Sequence, residues 1–228
     1  MKRWLAFVLC MLFAVAVAAQ QAEDKRLKAS YETLHDILGM PDKGIPRDLL
    51  NKSECVIVVP SMKKAAFIVG ASYGRGVVTC RSGENFRGPW SAPAFFPLEG
   101  ASFGFQVGGQ ATDYVILVMN EKGARSIMSS KVKLGGDASV AAGPVGRTTS
   151  AETDVVMNAE LLSWSRNKGI FAGISLTGST IRSDDDANRN LYGKEVNAKQ
   201  IIIQKEEKTP GAGKQLIALL DKTSPKHL

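Results

Sequence analysis

The sequence predicts an α+β fold: a single domain with a mainly antiparallel, Gly/Ala-rich β-sandwich or barrel-like core, an N-terminal amphipathic helix and short C-terminal helices. Three observations lead there. Between Pro46 and Arg182, apolar runs of strand length alternate with turns marked by Gly and Pro. Helical patterns concentrate toward the two ends of the chain. No polar linker long enough to divide two domains interrupts the 228 residues, of which 44% are hydrophobic and 22% charged, as in an ordinary folded chain.

The first element is a targeting segment. Lys2 and Arg3 precede an apolar stretch from Trp4 to Val17, and "AVAVAAQ" then supplies small residues. This order predicts a signal peptide over residues 1–19, cleaved before Ala19 or Gln20, with 20–228 as the mature domain. An uncleaved membrane anchor is the alternative. Cys10 follows Leu9 inside the apolar stretch, which does not fit a lipoprotein cysteine. The expected location is periplasmic or secreted, with peripheral contact to a membrane. The body shows no long uncharged apolar run, because Ala101–Met119 is broken by Asp113, two Gln and glycines.

The mature chain opens on "AEDKRLKASYETLHDILG". Leu27, Tyr31, Leu34 and Leu38 recur at i, i+4, i+7 and i+11, one apolar stripe on a helix that Gly39 and Pro41 stop. "ECVIVVP" reads as a strand ended by Pro60. "AAFIVGASYGRGVVTCR" reads as two strands turning at Gly74-Arg75-Gly76, and "SAPAFFPLEG", "ASFGFQVGGQ" and "TDYVILVMN" as three more. "EKGARSIMSS" fits a short helix. "ASVAAGP", "TDVVMNAELLSWSR" and "GIFAGISLTGSTIR" continue the strands, with a hairpin at Asn167-Lys168-Gly169. In "SDDDANRNLYG", Ser183 is the expected N-cap and Gly193 the stop. "NAKQIIIQ" and "GKQLIALLDK" close the chain as short helices.

The chemistry is sparse. His35 and His227 stand apart from any nucleophile motif, and no G-x-S-x-G, H-E-x-x-H or Walker pattern occurs. Asp184, Asp185 and Asp186 lack the alternation and glycine of a calcium loop and suit a helix start. The sequence therefore predicts no catalytic residue, no metal and no cofactor. Cys55 and Cys80 remain in the mature chain. They either form a disulfide, worth about 3.5 kcal/mol by loop closure, or pack as buried thiols on neighbouring strands.

Taken together, "IVGASYGRGVVTCR", "WSAPAFFPLEGASFGFQVGGQATDYVILVMN", "KLGGDASVAAGPVGR" and "LLSWSRNKGIFAGISLTGSTIRSDDDANRNLYG" resemble the SYLF-domain family of lipid-binding and actin-binding proteins, in an exported, bacterial-type form. The resemblance covers nearly the whole mature chain. It implies a non-enzymatic domain that binds membrane lipids, phosphoinositides in eukaryotic members, some of which also bind actin.

The charge agrees in sign. The formal net charge is +7, falling to +5 without Lys2 and Arg3. An exported basic protein meets anionic lipid headgroups rather than nucleic acid. Arg75, Arg147, Arg166 and Lys168, all assigned to turns or segment ends, are the candidate headgroup site. The alternative function is a structural or stress-related envelope protein acting through contacts with another envelope protein. A hydrolase is a third reading and lacks a nucleophile and base. Within "KLGGDASVAAGPVGR" the Ala and Gly residues predict a strand pressed closely against a neighbour, with "GASFGFQVGG" as the expected partner.

Overall fold

In the computed structural model, residues 2–40, 44–66, 69–103, 108–129, 131–145, 158–167, 170–204 and 207–225 are described. The strands are β1 (Cys55–Ala66), β2 (Val69–Cys80), β3 (Ala94–Phe103), β4 (Gly108–Val118), β5 (Val132–Lys133), β6 (Val140–Ala142), β7 (Leu161–Asn167), β8 (Ile170–Gly173) and β9 (Thr180–Ile181). They join in one curled sheet in the order β5-β9-β3-β2-β1-β4-β7-β6, and β8 pairs with β7. Every pairing among them is antiparallel except β6 with β7.

Six helices cover this sheet among the described residues: α1 (Lys2–Leu38), α2 (Arg47–Lys52), α3 (Glu121–Ile127), α4 (Asp185–Tyr192), α5 (Ala198–Ile202) and α6 (Lys214–Thr223). Along β1, Cys55, Ile57 and Val59 enter one apolar cluster, which α3 and α5 cover through Ala124, Ile127, Ile201 and Ile202. Val56 and Val58 enter the other, beneath α1, α2, α4 and α6. Burial on both faces explains why "CVIVV" is apolar throughout rather than alternating. α1 runs unbroken through the expected cleavage position. Leu27, Leu34 and Ile37 are its buried large apolar residues among those described, while Tyr31 and Leu38 are only half-buried.

Several boundaries differ from the sequence reading. Pro60 does not end β1. The register slips there against both neighbours, Ser61 takes φ 48°, and its N–H donates to Asp113 Oδ1 at 2.8 Å. A bulge admits Pro because its missing N–H falls outside the ladder.

Gly74-Arg75-Gly76 is no turn but the middle of β2. A Cβ on either glycine would come within 2.6 Å of the Val59 side chain, so these glycines serve a close approach beside the bulge. β3 likewise passes straight through Gly100, and two strands stand where three were expected. The cap of α4 is Asp184, not Ser183: its Oδ1 accepts from Ala187 N at 3.2 Å. Gly193 ends that helix in the left-handed region, φ 72°, as expected. Asn167 pairs with Ile170 across the expected hairpin, whose Lys168 and Gly169 lie outside the described residues.

The Ala/Gly-rich segment packs as a strand, but its neighbour is β7 rather than the stretch around β3 and β4. A Cβ on Gly143 would lie closer than 3.0 Å to the Trp164 ring, a separation real Cβ atoms do not show. Trp164 is fully buried and donates Nε1–H to Pro144 O at 3.0 Å. The small residues therefore make room for one indole.

Two further ties close the fold. Cys55 and Cys80 are direct partners in the β1–β2 register and are joined as a disulfide. At the other end of the chain, Arg81 stacks over Trp90, 4.1 Å from the ring centroid, and donates Nη2–H to Ser224 O and Oγ, both at 2.8 Å. Trp90 Nε1–H meets the same carbonyl at 3.0 Å.

Candidate functional site

Arg75 and Arg166 both point to the sheet face that α1 covers. Arg75 donates Nε–H and Nη2–H to Asp184 Oδ2 at 3.1 and 2.9 Å, and Nη2–H to Glu23 Oε1 at 3.3 Å. Arg26 completes this cluster, 2.8 Å from Glu23 and 4.7 Å from the centroid of the Phe95 ring. Glu23 is 2% exposed. Burial pushes its carboxyl above the usual range, against the pull of Arg26 and Arg75. Burial also lowers Arg26. In Arg75 the burial effect is outweighed by the bond to Asp184 and by Glu23, which hold the guanidinium firmly charged.

At the far end of the helix, Arg166 donates to Asp113 Oδ2 at 3.0 and 2.8 Å and to Asp36 Oδ2 at 2.8 Å. The Arg166 hydrogen bond holds the Asp36 carboxyl below its ordinary value.

The two arginines thus fasten α1 to β2 and β7 at acids separated by about 20 Å of helix. Their guanidinium groups already face carboxylates. Arg147 and Lys168, the other two sequence candidates, lie outside the described residues.

A second basic site was not singled out by the sequence. Tyr31, His35 and Leu38 recur at i, i+4 and i+7 on α1; Gln215, Ala218, Leu219 and Lys222 recur at i, i+3, i+4 and i+7 on α6. These stripes line one groove of about 460 Å³, with Arg47 at the start of α2 on its wall. Among the described residues no lining residue is acidic, and His35, Arg47 and Lys222 are basic. Among the described residues neither Arg47 nor Lys222 is paired with a carboxylate. His35 Nδ1 lies 3.7 Å from Asp36, and its ring centroid 5.7 Å from that of Tyr31. Beneath these polar ends, Tyr31, Leu38 and Leu219 are half-buried. The groove is therefore an open depression in which half-buried apolar side chains stand beside Arg47 and Lys222, a combination suited to an anion attached to an apolar body.

Comparison with known proteins agrees with the architecture. The family model described as Ysc84, Las17-binding protein actin regulator, matches residues 99–223, from the middle of β3 to the end of α6. SH3 domain-containing YSC84-like protein 1 of Xenopus laevis is 33% identical over 188 residues, 82% of this chain and 55% of that protein. Its Homo sapiens counterpart is 30% identical over 188 residues, 82% and 54% of the two chains. LAS seventeen-binding protein 3 of Saccharomyces cerevisiae is 33% identical over 180 residues, 78% and 38%. The chain spans about half the length of these relatives, or less. Both the family match and the breadth of these alignments place it: the chain belongs to the Ysc84 family of SYLF-domain proteins.

Proposed function

We propose that this protein is a non-enzymatic, peripheral binder of anionic membrane lipids in the cell envelope, with headgroups of phosphoinositide-like chemistry. The observation that carries the reading is the α1–α6 groove, where Arg47 and Lys222 stand, among the described residues, without a carboxylate beside half-buried apolar side chains. Each Lys or Arg held near an anionic bilayer contributes roughly 1 kcal/mol to binding. The test is flotation with phosphatidylglycerol and phosphatidylcholine vesicles. The parent should float with the former and not the latter. Arg47→Glu combined with Lys222→Glu should weaken flotation about tenfold or more, and added salt should weaken the parent's. Equal flotation on both vesicle types, or a folded double variant that binds as tightly as the parent, would overturn the reading.

Export belongs to the same proposal, on the order of charged, apolar and small residues in 1–19. The exported protein should then lack Met1 and Lys2 by mass spectrometry. Cys55 and Cys80, opposite one another in the register and buried, should resist thiol labelling until a reductant is added. Labelling of both in natively exported protein would show free thiols.

A protein partner is the second reading. It is favoured by the relatives' names, which describe a Las17-binding actin regulator and LAS seventeen-binding proteins. Pull-down from envelope extract with the parent and the double variant separates the two readings, since a protein contact elsewhere on the surface survives loss of Arg47 and Lys222.

A further inference from the structure

We propose that the α1–α6 groove takes up a single anionic acyl chain, a fatty acid or its close chemical equivalent, as a discrete ligand rather than only lying against a bilayer surface; this rests on the reading of the groove as the lipid site. The argument begins with what holds the two helices in place. α1 is anchored by Leu27, Leu34 and Ile37, and α6 by Leu216 and Leu220, all buried. The residues facing the groove are not among these anchors. Tyr31, Leu38 and Leu219 leave apolar surface half open to solvent between the helices, and Ala218 contributes almost no bulk. Apolar area left in this state is favourable to cover, at roughly 25 cal/mol per Å².

The shape then selects what can cover it. The depression between α1 and α6 is open to solvent, and a single extended chain laid along the helices covers its half-buried apolar side chains. The volume of about 460 Å³ falls within the range of about 300–1,000 Å³ that small-molecule sites occupy.

The charge selects the head. Of the ten described lining residues three are basic and none is acidic. The Thr223 hydroxyl is engaged with Leu219 O at 2.7 Å, which leaves Arg47, Lys222, His35, Tyr31 and Gln215 as the described lining side chains able to donate to an incoming carboxylate, Arg47 and Lys222 with full positive charge. An uncharged chain would cover the same apolar side chains and leave Arg47 and Lys222 without a carboxylate among the described residues, so charge complementarity argues for the acid over its ester.

The test uses the full chain in vesicle-free buffer, titrated with the fluorescent fatty acid cis-parinaric acid below its micelle concentration and, in parallel, with its methyl ester. Three proteins are compared: the parent, Ala218→Trp, and Arg47→Glu with Lys222→Glu. Ala218 is exposed, so the tryptophan fills the groove without entering the core, and an unchanged melting temperature verifies this. The expected result is saturable one-to-one binding of the acid to the parent. The ester and the charge-reversed variant should bind about tenfold more weakly, and Ala218→Trp should lose binding. Non-saturable fluorescence, or equal binding by Ala218→Trp, would overturn the proposal. If the parent floats with phosphatidylglycerol vesicles but takes up no parinaric acid, the acyl-chain site is wrong and the membrane reading stands. If parinaric acid binds as described while flotation fails, the groove stands and the membrane reading falls.

Discussion

Gly143→Ala should destabilise the protein by about 3 kcal/mol, lowering the melting temperature by about 6–12 °C. The added methyl group would meet the ring of Trp164 closer than 3.0 Å. Neither side can yield cheaply. Trp164 is fully buried and its Nε1–H is committed to Pro144 O at 3.0 Å. The backbone of Gly143 is tied by its N–H to Ser163 O at 3.0 Å and is crowded from behind by Gly173. Overpacking of this kind usually costs about 1–3 kcal/mol, and a planar ring locked on both sides puts this case at the upper end. The mechanism has a signature beyond the loss itself. Trp164→Leu removes the obstructing ring, so the double variant should cost clearly less than the two single changes added together. Strict additivity, or a Gly143→Ala protein as stable as the parent, would show that the segment is small for some other reason.

Arg81→Ala should cost about 3 kcal/mol. Arg81 is 3% exposed, and its guanidinium lies flat over Trp90 while bonding Ser224 O, Ser224 Oγ and Pro225 O. Hydrogen bonds to a charged donor contribute about 1.5–3 kcal/mol each in favourable cases. Here desolvation is substantial. Among the described residues Nε and Nη1 are buried without a hydrogen-bond partner, and burial lowers the guanidinium pKa despite Asp221 and Glu54. The net effect is therefore well below three full bonds. Arg81→Lys should not restore stability, because an ammonium cannot both stack on the indole and reach Ser224. Arg81→Met is the discriminating variant: urea unfolding with a midpoint equal to the parent's would mean that packing over Trp90, not the bonds to Ser224, closes this end of the fold.

What the sequence made legible depended on whether one physical cause dominated each signal. The stripe Leu27, Tyr31, Leu34, Leu38 has only a helical explanation, and a helix is what forms. Gly193 follows a polar, capped segment, and its left-handed stop came out as read. Asn167-Lys168-Gly169 sits between two strands whose register closes around it. By contrast, Gly74, Gly76 and Gly100 carry a signal with two causes. Glycine marks a turn, and it also marks a close approach between strands; only the position of Val59 beside the Pro60 bulge, or of Ser72 beside Gly100, tells which.

The same ambiguity displaced Arg75 from a turn to the interior of a strand, where its acidic partners come from residues 23 and 184. The groove was illegible for a further reason. Each half of it was visible as a helical face, but that Tyr31 and Leu38 should face Leu219 depends on two segments brought together from opposite ends of the chain.

The clamp on Ser224 also has a consequence for the order in which the chain can be completed. Arg81 and Trp90 are made early, and the carbonyl that satisfies both is made 143 residues after Arg81. Until that residue has emerged, a buried-to-be cation and an indole N–H stay open to water, and the sheet face beneath α6 stays uncovered. Completion of this clamp therefore waits for Ser224, whatever part of the sheet has formed before it. A product truncated before α6 leaves the apolar cluster that Leu216 and Leu220 complete open to water, and with it the guanidinium of Arg81 and the indole N–H of Trp90.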